Sequence, residues 1–447
     1  MSIKNKKILE SKRIIREEKK KIRLEKESIR KKKWEQFEKT KFGKVVKNVF
    51  FIFDLKRDKY SFSQLFAMTL ISLVVGFFAC YSVFAIIVGN KNLFKLSKEL
   101  SKFYSVYDVL VENYYGEVDK DELIDEAING MISSVGDVYT NYADTEKTDS
   151  FNQLVSGIYE GIGCVISQTE DNIVVISVYD DSPSKKAGIK DGDIIKEVDG
   201  KNAFELGSTK LSEYIKTEAN GKIEMVILRD GKEEKITLER GKVEVPAITG
   251  KIISKDDKKI GYIDISIFSS VSANQFDKKL KELEKDGIDA LVIDVRDNNG
   301  GYLTAVTDIA SKLLPKGKNI YQIQKDDKKK IYKDKTSEKR SYPIAILTNS
   351  GSASASEILA GVIKESYGGF VVGTKTYGKG TVQQVKKLAD GSMIKYTVEN
   401  WLTPNGNWID EVGIDPTDEV VLDNEYYKTY KDEDDNQLQK ALKLVSK

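Results

Sequence analysis

A chain of 447 residues with 40% hydrophobic content is long enough for two or three domains with buried cores. It contains no histidine. That excludes a Ser-His-Asp triad, a Cys-His pair and a histidine-bearing zinc site, so any hydrolytic chemistry must use another base. The net charge of +2 hides an asymmetry: residues 1–60 hold 22 Lys and Arg against 9 Asp and Glu, residues 61–90 hold no charge, and the remainder carries 50 against 61. A basic head, an uncharged belt and an acidic body point to three environments.

In the basic head, runs such as Lys19-Lys20-Lys21 and Arg30-Lys31-Lys32-Lys33 read as a charged helix. Its plain reading is a solvated topology signal, with a grip on anionic lipid as the alternative. Leu65 to Val88 then forms an apolar run. At about 1.5 Å per residue it reaches roughly 36 Å as a helix, enough to cross a hydrocarbon core of about 30 Å. A buried core helix would not need so long a charge-free stretch. A cleavable signal is disfavoured by the charged segment ahead of it and by the lack of a small-x-small cleavage site. The positive-inside rule places residues 1–60 in the cytoplasm and everything after residue 90 outside. The expectation is a single-pass cell-membrane protein with an extracytoplasmic body. Its cysteines, Cys80 in the belt and Cys164 far along the chain, are poor partners for a disulfide.

Residues 95–150 read as amphipathic helices with a packing role. Phe103, Val106, Tyr107, Leu110 and Tyr114 recur at helical spacing, as do Leu123, Ile124, Ala127, Ile128 and Met131. Residues 151–243 read as a separate β-rich module. Strands are expected at 164–166, 173–176, 194–195, 223–228 and 235–238, the last two around the Arg229-Asp230-Gly231 turn. Ser182-Pro183 starts a short helix that ends before Gly188. Tyr159-Glu160-Gly161-Ile162-Gly163, Ser182 to Ile189, Asp191 to Ile195 and Val198-Asp199-Gly200 together resemble a PDZ domain. The resemblance implies that the backbone at Gly161, Ile162 and Gly163 receives the terminal carboxylate of a peptide, which adds as a strand to the sheet edge. An ordinary tight turn is the alternative for the two glycines.

Residues 244–447 alternate strands and helices: strand 260–265, helix 275–284, strand 290–295, helix 303–314, strand 344–347, helix 355–365 and strand 370–372. This is a βαβ pattern, and its α/β core should gather a site at strand ends. Three loops occupy such ends: Asp294 to Gly301, Thr348 to Glu357 and Gly373 to Gln383. The middle loop, Ser352-Ala353-Ser354-Ala355-Ser356-Glu357, opens a helix whose first N–H groups can face an oxyanion. The Gly300-Gly301 pair could present a second N–H. Lys379 lies between Gly378 and Gly380 and is the natural candidate base, since desolvation favours a neutral amine. Two plainer readings stand beside this one. Ser354 with Glu357 three residues on is also a capping box, and Lys379 could be a turn residue.

These loops resemble the carboxyl-terminal processing proteases, or tail-specific proteases. The likeness takes in Phe103 to Tyr107, Val138-Tyr139-Thr140-Asn141-Tyr142, the PDZ-like module, all three loops, Leu402 to Gly406 and Gly413-Ile414-Asp415-Pro416. It implies Ser354 as nucleophile, Lys379 as general base and Gln383 as the residue that orients the lysine. The oxyanion hole would use the backbone N–H of Ala355 and that of Gly300 or Gly301, the choice staying open. It also implies an α/β (α+β) core similar to the crotonase and Clp protease folds, with an inserted PDZ domain. Asn299 and Tyr377 depart from the proline and phenylalanine usual at those places. The expected function is endoproteolysis near the C-termini of extracytoplasmic proteins, without metal, cofactor or nucleic acid, and with tail binding able to gate the site. Self-association and the substrate stay open. A catalytically silent PDZ scaffold is the alternative, and a crotonase-like acyl-CoA enzyme fits less well.

Overall fold

The structure, a computed structural model, describes scattered positions between 21 and 40 and then residues 62–87, 93–217 and 221–447. Most of the basic head, with its expected charged helix, lies outside the described residues. The chain divides into two compact units, Met1–Val118 and Asp119–Lys447.

The first unit holds helices Phe62–Ile87 and Leu93–Asn113. Phe62–Ile87 covers most of the expected span, and Leu73, Phe77, Phe78 and Val83 on it are exposed. Among the described residues, however, no helix is long and apolar enough to cross a membrane.

Within the second unit, the PDZ-like module is an antiparallel sheet. Its strands run in the order Cys164–Gln168, Ile173–Val178, Ile194–Val198, Lys222–Arg229 and Lys232–Glu239. Ile173, Val175, Ile195, Ile223, Met225 and Ile227 form its core with Leu211 and Ile215 of helix Ala203–Thr217. That helix is absent from the sequence reading. Gly207, at φ 77°, breaks its backbone and so its apolar period. Asp230 and Gly231 both have positive φ, as a two-residue hairpin turn with the right twist demands. Ser182 caps the short helix Pro183–Lys186 by accepting from the Lys185 N–H. The chain enters the module through Ile158–Gly161 and leaves through Gly241–Glu244, and these segments pair with each other antiparallel. The module is therefore an insertion closed by its own stem.

The protease-like body is mixed α/β. Strands Lys258–Ile265, Ala290–Asp294, Ile344–Thr348, Phe370–Gly373 and the edge strand Asp418–Glu419 are successive neighbours and parallel, with antiparallel Ile248–Lys255 at the other edge. Ala290–Asp294 and Ile344–Thr348 are buried at every position, which explains their unbroken apolar runs. Leu291, Ile293, Ile344 and Ile346 pack under helices Ser272–Lys285, Leu303–Leu313 and Ala355–Gly361. The alternate residues Ala290, Val292, Ala345 and Leu347 pack on the C-terminal helix Asn436–Val445.

A second sheet has no clear signature in the sequence. It joins Asn141–Ala143, Met393–Leu402, Asn319–Lys325, Lys328–Lys333 and Thr381–Lys387. Segments such as Lys328–Lys333 and Thr381–Lys387 are largely exposed and rich in Lys and Gln, so they carry no apolar alternation. Asn141–Ala143 corrects the all-helical expectation for 95–150: it is a strand, held by its pairing with Met393–Lys395 rather than by its own propensity. The helix expected over 355–365 is α-helical only to Gly361 and continues as a π-helical segment, Val362–Tyr367.

Candidate active site

The turn between Ile344–Thr348 and helix Ala355–Gly361 sorts its three serines by burial. Ser352 is fully buried, and its Oγ donates to the Val295 carbonyl at 2.7 Å. Ser356 is fully buried too, and donates to the Asn298 carbonyl at 2.8 Å. Ser354 alone of the three is partly exposed. It sits at φ 55°, ψ −111° at the helix N-terminus, a sparsely populated conformation that surrounding bonds must hold.

Those bonds centre on Glu357, which is fully buried. Its Oε2 accepts from the backbone N–H of Ser354 at 2.8 Å and of Lys379 at 2.9 Å. Its Oε1 accepts from the Gly378 N–H and the Thr376 hydroxyl, both at 2.7 Å. Burial pushes this carboxyl up, and the four donors oppose the rise. One carboxylate thus joins the serine turn to the lysine turn. In the sequence Glu357 reads as half of a capping box, and the bond to the Ser354 N–H is that half. Its grip on the distant turn had no local signal.

Lys379 is half-buried, and the glycines beside it are needed for packing. A Cβ at Gly380 would lie 2.4 Å from the Asp410 nitrogen, and Gly378 has φ 93°. Burial holds the Lys379 ammonium below its ordinary pKa, helped by Lys395, while Glu357 and Asp137 work the other way. Lys379 Nζ stands 4.7 Å from the centroid of the Tyr139 ring. Among the described residues it makes no hydrogen bond to Ser354 Oγ. Gln383 lies on Thr381–Lys387, and its amide donates to the hydroxyls of Thr381 at 2.8 Å and Thr397 at 3.4 Å, not to the lysine.

The two glycines of the first loop are not equivalent. The Gly300 N–H donates to Asn298 Oδ1 at 2.8 Å. The N–H groups of Gly301 and Ala355 meet no acceptor among the described residues. Gly300 presses on the serine turn, where a Cβ would come within 2.8 Å of Ser354 Cβ, and Gly301 presses on Phe268, where a Cβ would come within 2.2 Å of its carbonyl oxygen. Both need their φ of 101° and 145°. Asn298, buried and unremarked in the sequence, orders this corner. Its amide donates to the Ile265 carbonyl at 2.6 Å, and its own carbonyl accepts from the Ala353 N–H at 3.0 Å. Below it, half-buried Arg296 pairs with Asp294 and with Asp435 at the start of the C-terminal helix, and Tyr262 donates to Asp294 at 2.8 Å.

The candidate peptide-binding residues lie apart, in the inserted module. Gly161 ends the stem strand. The Ile162 carbonyl accepts from the Ser184 N–H at 2.8 Å, and the Gly163 carbonyl from the Tyr179 N–H at 3.0 Å. Gly163 has φ 77°, with Ser182 too close for any Cβ. The following strand, Cys164–Gln168, is an edge strand, and Gln168 Oε1 accepts from the Ser208 N–H of the neighbouring helix at 3.2 Å. Among the described residues, no group of three or more Cys, Asp or Glu is placed to hold a metal ion.

Residues 259–420 match Peptidase family S41, residues 161–239 the PDZ domain and residues 86–147 the activating protease CtpB N-terminal domain. The carboxy-terminal processing protease CtpB of Bacillus subtilis is 38% identical over 326 residues, covering 72% of this chain and 67% of that one. The chain belongs to Peptidase family S41. This is a serine protease family with C-terminal processing homologues. The carboxy-terminal processing protease CtpA of Bacillus subtilis is 33% identical over 377 residues, 83% of this chain and 80% of that one. Among solved structures, the photosystem II D1 C-terminal processing protease is 27% identical and covers 71% of this chain and 86% of that one, with a TM-score of 0.43.

Proposed function

We propose that this S41 peptidase is an endopeptidase that cleaves extracytoplasmic proteins near their C-termini, with Ser354 as nucleophile and Lys379 as general base. The observation that carries the reading is the shared Glu357 oxygen, which accepts from both the Ser354 and the Lys379 backbone at 2.8 and 2.9 Å. It brings together a partly exposed serine at a helix N-terminus and a lysine whose neutral form is favoured by burial. Neutral Nζ takes the Oγ proton, Oγ attacks the peptide carbonyl, and the N–H groups of Ala355 and Gly301 receive the oxyanion; the C–N bond then breaks, and the amine leaves with the proton that the Lys379 ammonium returns. Water then releases the acyl group. Gln383, on the strand that follows the lysine turn, orients the amine once it faces Ser354.

The inserted module captures the tail of the substrate. Its edge strand Cys164–Gln168 offers unpaired backbone for a peptide to join, and Gly161, Ile162 and Gly163 receive the terminal carboxylate. Tail binding gates the catalytic site. The charge-free stretch 61–90 anchors the body outside the membrane, with the basic head inside. A core similar to the crotonase and Clp folds is part of the same reading, supported by the parallel sheet with helices on both faces.

Purified Ser354→Ala protein should fold and lose cleavage of an unstructured peptide, and Lys379→Ala should lose nearly as much. Undiminished cleavage by Ser354→Ala would sink the mechanism. Reporter fusions before residue 60 and after residue 90 test the topology, and the same compartment for both would reject the anchor.

A further inference from the structure

We propose that the ring of Tyr139 is a parking site that holds the charged Lys379 ammonium off Ser354, which makes Tyr139 a positioning residue for the base. The functional consequence rests on the reading of Lys379 as general base; the contact does not. Lys379 Nζ lies 4.7 Å from the Tyr139 ring centroid. An aromatic face attracts a cation and is indifferent to a neutral amine. The contact therefore stabilises the protonated form, which cannot take a proton from a serine.

The ring is built in rather than draped. The Tyr139 N–H donates to Asp137 at 3.0 Å, and the Thr140 hydroxyl donates to the same carboxylate. The Thr397 N–H donates to the Thr140 hydroxyl at 3.3 Å. The next three residues, Asn141–Ala143, pair with Met393–Lys395. The strand that follows the lysine turn, Thr381–Lys387, pairs with the same strand. One strand, Met393–Leu402, thus fixes both the ring and the lysine turn.

The groups facing Lys379 divide. Burial and Lys395 disfavour the ammonium, whereas Glu357 and Asp137 favour it. Tyr139 is itself faced by Tyr377, Asp410 and Glu357, and burial with these neighbours keeps its hydroxyl protonated. The ring adds to the side that holds the proton. When the amine loses its proton to solvent, the ring loses its hold, burial favours the neutral form, and Lys379 is free to turn to Ser354.

The test reads Lys379 directly. Its ionisation midpoint is followed by the pH dependence of labelling with an amine-reactive reagent, quantified by mass spectrometry, beside the pH profile of kcat/KM on an unstructured peptide. Tyr139→Leu keeps apolar cover but removes the π face. Its labelling midpoint should fall by about half to one pH unit, with about three- to tenfold more neutral amine below the midpoint. Tyr139→Phe keeps the face and should restore the wild-type midpoint. If Tyr139→Leu does not fold, Tyr139→Met removes the face with a more adaptable side chain. An unmoved or raised midpoint in the folded variant, or a Tyr139→Phe midpoint that falls equally, overturns the proposal. A midpoint that falls while the acid limb of kcat/KM stays put upholds the parking contact and rejects Lys379 as the base.

Discussion

Glu357→Gln separates the two jobs of one buried residue. The substitution keeps volume and shape but replaces one acceptor oxygen by a donor. The wild-type carboxylate receives four hydrogen bonds, two on each oxygen. A glutamine oxygen can serve one pair; on the other side the Thr376 hydroxyl can turn to accept from the NH2, so at least one backbone N–H and the second NH2 hydrogen are left without an acceptor. Each orphaned buried donor costs about 1–3 kcal/mol. Relief of the desolvated charge offsets part of this, leaving a net loss of about 2–4 kcal/mol by the same figures. The functional loss should be the larger effect, because the orphaned N–H belongs to one of the turns that set Ser354 against Lys379. A misplacement near 1 Å in such a pair costs about a hundredfold in rate. The assay is kcat and KM on an unstructured peptide, with denaturant unfolding in parallel. Expected are a kcat reduced about a hundredfold, a KM little changed and a lowered unfolding midpoint. Wild-type kcat in a folded Glu357→Gln protein would refute the claim that this carboxylate sets the geometry.

Two further outcomes follow from the same geometry. Asp264 is pushed up to about 6 by burial and by Asp294, against the pull of Arg296. A carboxyl raised in the folded state favours folding below its unfolded value, and that contribution is lost as pH rises through about 6. Asp264→Asn should therefore stabilise the body near pH 7.5, by about 1–2 kcal/mol after allowing for partial solvent screening. The gain should vanish below about pH 4 in unfolding curves across that range, and an equal gain at every pH would refute the assignment. Gly301→Ala places a Cβ 2.2 Å from the Phe268 carbonyl oxygen at φ 145°. The loop must shift and carry the free N–H with it, so kcat should fall by about 10²–10³ while a tail peptide still binds the inserted module by calorimetry. Unchanged kcat would exclude Gly301 as an oxyanion donor.

The amino-acid sequence by itself determined the chemistry on offer. Without histidine, any hydrolytic chemistry needs another base, for which a lysine is the natural candidate, and glycines on both sides of Lys379 mark a turn where backbone meets backbone. The buried parallel strands were equally plain, because Ala290–Asp294 and Ile344–Thr348 are apolar on both faces. The inserted module was legible from its turns, since positive φ at Asp230 and Gly231 is a local demand. Properties that depend on partners distant in sequence waited for the tertiary structure. The second sheet is one, because half-exposed strands such as Thr381–Lys387 are held by pairing and not by an apolar period. The difference between the two glycines is another: the Asn298 side chain takes the Gly300 N–H, whereas that of Gly301 meets no acceptor among the described residues. The bond from the Lys379 turn to Glu357, and the pose of that lysine over Tyr139, join residues 22 and 240 positions apart in sequence. No local pattern encodes such contacts; they exist only once the strands between them have found their register.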